Sequence, residues 1–441
     1  MQAVARLLSK TGNRVAGSDM TDFEARPDLE TEGITVFVGH DASHITKDID
    51  EVLYSAAIPE NNPEIQQAQK LGIPTRRRLE VIGELMKEKI GIAISGTHGK
   101  TTTTTMIAII LRAAGREPTA LIGAEVRTMK SNFMMGSGSA LVVEACEYGR
   151  SFMDLRPKII VLTNIEADHL DYYKDMEDIK QAFVDFVKLL PKDGVVIGNG
   201  DDANVREVVG RAKPPRVVWA GFGGDNLIQA KNLEFVEGSL YFSMNGSRLH
   251  LHVPGRHNVH NAVLAWAVAR ELGIDDATVE HALHDEFKGA ARRFEILGTT
   301  KGITFMDDYA HHPTEIRALL EGARQYFQNR RLIVVFHPHQ YSRTRLLMND
   351  FAESFKDTDM VIVAPIYAVR DTDDDKKSVN SEQLVSAINA ISHNAQYVGD
   401  FPEIKDFVMQ NIRSGDVVIT LGAGQADVLG RELLEELRKS K

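Results

Sequence analysis

The run Ser95-Gly96-Thr97-His98-Gly99-Lys100-Thr101-Thr102 sets two glycines, a lysine and several hydroxyls at a spacing that suits a polyanion. The apolar segment 90–94 precedes it, and a helical pattern follows to about Ala114, with Met106, Ile109, Ile110 and Ala113 on one face. Strand, glycine loop and helix in that order turn backbone N–H groups and the positive helix end toward a phosphate. Lys100 then reaches the terminal phosphates, and the Thr101 hydroxyl suits Mg²⁺. Gly96, Thr97, His98, Gly99, Lys100, Thr101 and Thr102 therefore form the expected nucleotide loop. The full Walker spacing puts a glycine at 94, where Ile94 stands. A plain glycine turn ahead of a lysine is the competing reading, and the flanking strand and helix weigh against it.

Further candidates lie at strand ends. Glu144 ends the apolar segment 140–143, and Asp168 and His169 follow the segment 158–162. A hard cation prefers oxygen ligands, so Glu144 beside Thr101 is chemically sensible. A histidine at a strand end is by type more often a hydrogen-bonded structural residue than a ligand, so His169 stays open. Asp19 ends the segment 14–18, where an acid can meet a ribose or a base. His311 and His312 precede Pro313 between a strand end and a helix start, a ligand-facing position, although a surface pair is the alternative. Asn258 and Asn261 are spaced i, i+3 on one helix face; capping and solvation compete with ligand binding there.

These residues need elements to position them. Segments 14–18, 34–38 and 52–55 read as strands among helices at 2–10 and 63–71. Three period-2 segments, 229–236, 239–244 and 248–253, read as a small antiparallel excursion, and a helix over 258–272 stops at Gly273. Strands at 303–306, 332–336, 360–364, 396–398 and 417–421 alternate with helices at 313–326, 344–355, 381–391 and 403–412. The run 371–377 reads as an exposed charged loop. The expected architecture is α/β, with three domains each built on a mainly parallel sheet: 1–88, Rossmann-like; 89–292, a P-loop ATPase-like centre; and 293–441, Rossmann-like.

Composition narrows the class. The chain has 441 residues, 43% of them hydrophobic and 26% charged, an ordinary globular balance. Its net charge of −11 argues against nucleic acid as a partner. A single cysteine, Cys146, excludes an internal disulfide and fits a reducing cytoplasm. No apolar run approaches the ~18 residues of a membrane span.

Taken in order, these motifs resemble the Mur ligases. The series runs Gly-Thr-His-Gly-Lys-Thr-Thr (96–102), Glu-Ala-Cys-Glu-Tyr (144–148) and Thr-Asn-Ile-Glu-Ala-Asp-His (163–169). It continues with Gly-Arg-His-Asn-Val-His-Asn-Ala (255–262), Arg-Arg-Phe-Glu (292–295) and Asp-Asp-Tyr-Ala-His-His-Pro (307–313). It ends with His-Pro-His-Gln-Tyr-Ser-Arg-Thr (337–344) and Gly-Ala-Gly (422–424). The likeness covers almost the whole chain and is to the alanine-adding branch; Asp307-Asp308-Tyr309 favours it over the branch that recycles a preformed tripeptide.

The resemblance implies an ATP-dependent ligase. The lactyl carboxylate of UDP-N-acetylmuramate becomes an acyl phosphate, and L-alanine then displaces phosphate. It implies a cytoplasmic enzyme of peptidoglycan synthesis, monomer or homodimer, using ATP and Mg²⁺ (or Mn²⁺), with no nucleic-acid or membrane partner. Lys100 would bind the β- and γ-phosphates; Thr101, Glu144 and His169 would hold the metal. Asn258 and Asn261 would meet the adenine side, and Arg293 and Asp308 would reach ATP from the third domain. Tyr309, His311, His312, His339 and Arg343 would surround the acceptor, with His311 and Arg343 near the reacting groups. Asp19 and Ser55, the latter within Tyr54-Ser55-Ala56-Ala57-Ile58, would contact the nucleotide sugar.

Three departures stand out. The family opens with a strand and a glycine loop for the UDP pyrophosphate, whereas this chain begins where the next helix would start, so its first sheet is expected to lack a strand and its hold on the UDP-sugar to be weak or absent. A degraded, non-catalytic nucleotide-binding relative is therefore a competing reading. Gln340 stands where many relatives carry Arg, and no lysine follows His169 at the offset where other branches use a modified one.

Overall fold

The computed structural model describes residues 1–23, 25–55, 58–129, 131–236 and 239–439. The chain divides into two compact units, Met1–Gln229 with Asn261–Glu286, and Ala230–His260 with Phe287–Lys441.

The first unit opens on helix Gln2–Lys10 and two separate parallel pairs, Ala16–Asp19 with Thr35–Val38 and Val52–Tyr54 with Thr75–Arg77. Helix Pro63–Leu71 starts and stops where its sequence says: the Asn62 carboxamide accepts from the Glu64 and Ile65 N–H groups, and Gly72 ends it at φ 72°. A larger sheet follows, in the spatial order Val217–Gly221, Val195–Asn199, Ile159–Leu162, Ile90–Ser95, Ala140–Glu144, Thr119–Val126, Ser131–Met134, parallel except for the last strand. Ile90–Ser95 thus lies between the strands that end in Glu144 and in Leu162. Its crevice is the switch point where α/β sheets take ligands. Phe152, stacked on Phe186 with ring centroids 4.4 Å apart, anchors the core beneath.

Helix Lys100–Ala113 differs from the one-faced pattern expected. Thr101 through Leu111 are all buried, so the helix is enclosed on every side. Five consecutive threonines are poor helix formers, and burial overrides that preference. Two of their hydroxyls are satisfied inside the helix, Thr104 Oγ1 donating to Lys100 O and Thr105 Oγ1 to Thr101 O, each at 2.8 Å.

In the second unit, strands Ser239–Met244 and Ser247–Leu251 turn on Asn245 and Gly246, both at positive φ, as a two-residue hairpin requires. The six-stranded sheet runs Glu295–Thr300, Ile303–Asp308, Val417–Leu421, Leu332–Phe336, Met360–Val363, Ala395–Tyr397, with only the first antiparallel. Two expectations fail here. The helix expected over 344–355 is two, Tyr341–Leu346 and Met348–Ser354, broken at Leu347 with φ −108° and ψ 21°. The charged run 371–377 carries a helix, Asp373–Ser378. Thr372 and Asp375 form a reciprocal capping box, and acids in its first turn and lysines in its last suit the helix dipole. Among the described residues, no helix is long and apolar enough to cross a membrane.

Candidate active site

In the first unit the phosphate loop is built by Gly96 at φ 134° and Gly99 at φ 81°, backbone angles that side chains resist. No side chain caps helix Lys100–Ala113 at Gly99. The segment after strand Ile159–Leu162 braces the loop. Asn164 Oδ1 accepts from His98 N at 2.8 Å and Asn164 O from Thr97 N at 2.9 Å, while Thr163 Oγ1 donates to His98 O at 2.6 Å. Thr97 Oγ1 accepts from Glu166 N at 2.8 Å, and the His98 ring lies 3.5 Å from the Glu166 carboxylate. Asn261, one helix away, accepts from Thr103 Oγ1 at 3.2 Å and lies so close to Gly99 that a Cβ there would sit 2.5 Å from its Oδ1. Thr102 is buried in the first helical turn.

The chemistry-bearing side chains gather around this loop. Thr101 Oγ1 donates to Glu144 Oε2 at 2.9 Å, and the same oxygen accepts from Gly123 N at 2.8 Å. Lys100 Nζ donates to Gly96 O, Thr97 O and Glu147 Oε1 at 2.5, 2.9 and 3.0 Å. Burial alone would lower the Lys100 pKa; Glu147, Cys146 and Glu144 raise it above its ordinary value. His169, held at φ 54°, lies 3.7 Å from Glu147 Oε1 and edge-on to Tyr148. Its Nδ1 and the Glu147 Oε2 are buried with no hydrogen-bond partner. These unpartnered atoms, with the Thr101 hydroxyl and the Glu144 carboxylate in the same unit, are of the oxygen and imidazole types that a divalent cation takes, although the ligand atoms of Glu144, Glu147 and His169 do not converge within 4.8 Å. Glu147 was quoted within a motif but given no role by sequence. It is 47 residues from Lys100, and only the fold joins them.

A cavity of about 610 Å³ opens in the same unit, lined by Asp19, Ser55, Arg77, Arg78, Gly123 and Tyr148 among others. Asp19 and Ser55 thus reach a common space with the backbone of Gly123, whose N–H holds Glu144. Ala56 and Ala57 lie outside the described residues. Ser18, also on the wall, donates to Glu64 at 2.6 Å, and Glu64 meets His44 at 2.7 Å.

The second unit brings its own group together at the carboxyl ends of its strands. Asp308 accepts from Phe294 N at 2.7 Å and Ala310 N at 2.8 Å. Burial pushes it up to about 6, with Arg293 and the two N–H donors pulling the other way. The Arg293 guanidinium lies 4.6 Å over the Tyr309 ring and donates to Arg292 O. His311 Nδ1 meets Tyr309 O at 3.0 Å, and its ring stands 5.8 Å from that of His339. Arg343, buried, approaches His339 Nδ1 at 3.3 Å. Burial, then the neighbouring His311 and Arg343, push His339 down to about 3; burial and Arg292 push His337 down to about 4. His312 points its ring nitrogen to Thr314 N at 3.3 Å as a helix cap. Gln340 is buried at φ 78° at the start of helix Tyr341–Leu346. Asn258 Nδ2 donates to Pro254 O at 2.6 Å. Arg292, unassigned by sequence, pairs with Asp307 at 2.9 Å and donates to Gly422 O at 2.6 Å, fixing the Gly-Ala-Gly turn.

Comparison with known proteins gives this arrangement a lineage. Three family models match in succession: the Mur ligase family catalytic domain over residues 1–90, the Mur ligase middle domain over 94–269, and the Mur ligase glutamate ligase domain over 292–424. A UDP-N-acetylmuramate–L-alanine ligase of Alkaliphilus metalliredigens is 41% identical, over 99% of this chain and 95% of its own. One from Caldanaerobacter subterraneus is 40% identical, over 100% and 96%. Among solved structures, the UDP-N-acetylmuramate-alanine ligase of Thermotoga maritima matches with a TM-score of 0.84 and 29% identity, over 100% of this chain and 97% of its own. A murein peptide ligase of Psychrobacter arcticus shares the fold, with a TM-score of 0.72 at 23% identity over 100% and 97%. The chain belongs to the Mur ligase family.

Proposed function

We propose that this chain joins L-alanine to the lactyl carboxylate of UDP-N-acetylmuramate at the expense of ATP, in the cytoplasmic synthesis of peptidoglycan precursors. The observation that carries the reading is the phosphate loop with Thr101 on Glu144 and Lys100 beside it, in a chain about 40% identical over its whole length to alanine-adding ligases. Murein peptide ligase, which shares the fold at 23% identity, is the weaker match.

In this reading the loop N–H groups and Lys100 hold the triphosphate in line with the sugar's carboxylate, whose oxygen attacks the γ-phosphorus as ADP leaves. The 610 Å³ cavity takes the nucleotide sugar, with Asp19 and Ser55 on its wall. Thr101, Glu144 and His169 would hold a divalent cation, which supplies charge neutralisation and Lewis acidity when bound. Asn258, Asn261, Arg293 and Asp308 serve the nucleotide. Tyr309, His311, His312, His339 and Arg343 serve the amino acid, whose neutral amine attacks the acyl carbon as phosphate leaves. Arg343 supplies a carboxylate partner suited to the planar guanidinium. His339, kept neutral, adds no positive charge that would repel the ammonium form before it loses its proton.

The test is incubation with ATP, Mg²⁺, UDP-N-acetylmuramate and L-alanine, with the tripeptide in a parallel reaction and mass spectrometry of both. UDP-N-acetylmuramoyl-L-alanine is the expected product. A product only with the tripeptide, or none in either reaction, overturns the proposal.

A further inference from the structure

Glu147 stands between two groups that the proposed reaction uses. It is 3% exposed, and its backbone carbonyl is pinned by Tyr173 Oη at 2.5 Å. Its Oε1 takes Lys100 at 3.0 Å and lies 3.7 Å from His169 Nε2, while Oε2 has no partner. An ammonium has three donors, and Lys100 directs all three inward, to Gly96 O, Thr97 O and Glu147. None is left for a phosphate. A triphosphate can therefore engage Lys100 only by displacing a partner, and Glu147 is the one that carries opposing charge.

We propose that Glu147 is a positioning residue that competes with the nucleotide's phosphates for Lys100, holding the ammonium in the nucleotide-free protein and releasing it on binding. The inference rests on the assignment of 96–102 as the triphosphate loop. Displaced from Lys100, a buried carboxylate needs a new partner, because an unpaired buried charge is costly. The His169 imidazole beside it is that partner. The exchange keeps the loop's buried lysine compensated at every stage and weakens ATP binding in the ground state, leaving Lys100 committed only once phosphates are in place.

The test compares wild type with Glu147→Gln, each with and without Lys100→Met, by calorimetric titration with ATP in EDTA and by ATP turnover with Mg²⁺. The charge-free, isosteric variant is expected to bind ATP about tenfold more tightly in EDTA, an effect of ~1.4 kcal/mol. That gain is expected to vanish in the Lys100→Met background, while kcat falls in the variant whose affinity rises. Unchanged or weaker ATP binding by folded Glu147→Gln overturns the proposal, as does a gain that survives Lys100→Met. If Glu147→Gln does not fold, Glu147→Asp, whose shorter side chain draws the carboxylate back from Lys100, is expected to show a smaller gain of the same sign; no gain refutes it. Wild type that binds no ATP even with Mg²⁺ overturns the loop assignment itself, a separate result.

Discussion

Gly99→Ala is the sharpest probe of how the phosphate loop is held. Gly99 sits at φ 81° and ψ −4°, a left-handed conformation that costs a residue with a Cβ about 1–2 kcal/mol. The new methyl group would also fall 2.5 Å from Asn261 Oδ1. Asn261 is 5% exposed, so it has little room to retreat, and moving it breaks the 3.2 Å bond from Thr103. Overpacking of this kind costs about 1–3 kcal/mol. The substitution should therefore destabilise the first unit by roughly 2–5 kcal/mol. Asn261→Ala alone loses at least one hydrogen bond, about 1 kcal/mol. In the double variant the methyl finds space and only the backbone cost remains, so the pair should fall short of additivity by about 1–3 kcal/mol. The assay is urea unfolding followed by tryptophan fluorescence. The chain has two tryptophans, Trp219 and Trp266, and both lie in the first unit, so the signal reports that unit. Additivity to within ~0.5 kcal/mol would refute the close approach as the origin of the cost.

Glu144→Gln should raise the Mg²⁺ concentration needed for half-maximal ATP turnover by about 10–100-fold, read from a metal titration, because the carboxylate that Thr101 and Gly123 orient loses its charge. Lys100→Met should lower phosphate release at least ~100-fold at saturating ATP, since a positive charge aimed at the transferred group is lost. The contribution of His339 and His337 to the stability of the second unit should rise with pH between about 3 and 6.5 and then level off, opposed below about 6 by Asp308, whose carboxyl burial pushes up. His339 and His337 are held neutral in the fold, down to about 3 and 4, so below 6.5 the unfolded chain binds more protons at these two rings than the folded one. Urea midpoints at several pH values check this, and His339→Gln should flatten the slope.

Much of this molecule is legible in its sequence. Strands 332–336 and 417–421 were read to the residue because buried parallel strands are continuous apolar runs bounded by polar residues. Helix Pro63–Leu71 was equally plain, carrying its own cap and stop. What escaped was what only three dimensions bring together. Thr119–Val126 and Ser131–Met134 carry too little periodicity to announce an edge pair. The break at Leu347 leaves no proline or glycine as a signal. At the site, strand-end Glu144 and the lysine loop were legible from local sequence. Glu147, Asn164 and Arg292 were not, because each acts on a segment 47 to 130 residues away. The two His311–His312 neighbours looked equivalent in sequence; the fold gives His312 to a helix cap and turns His311 toward His339.

The chain's passage between its two units has a consequence for how the protein is made. The first unit is left at Gln229, regained at Asn261 and left again at Glu286, so it is not a continuous stretch. Asn261, which packs on Gly99 and bonds Thr103, is synthesised 158 residues after that threonine. At about 5–20 residues per second, on the order of ten seconds pass before that neighbour of the loop leaves the ribosome. Until then the nascent chain carries a nucleotide loop without one wall. A fragment cut at 229, however well its sheet forms, would stop at that same incomplete stage.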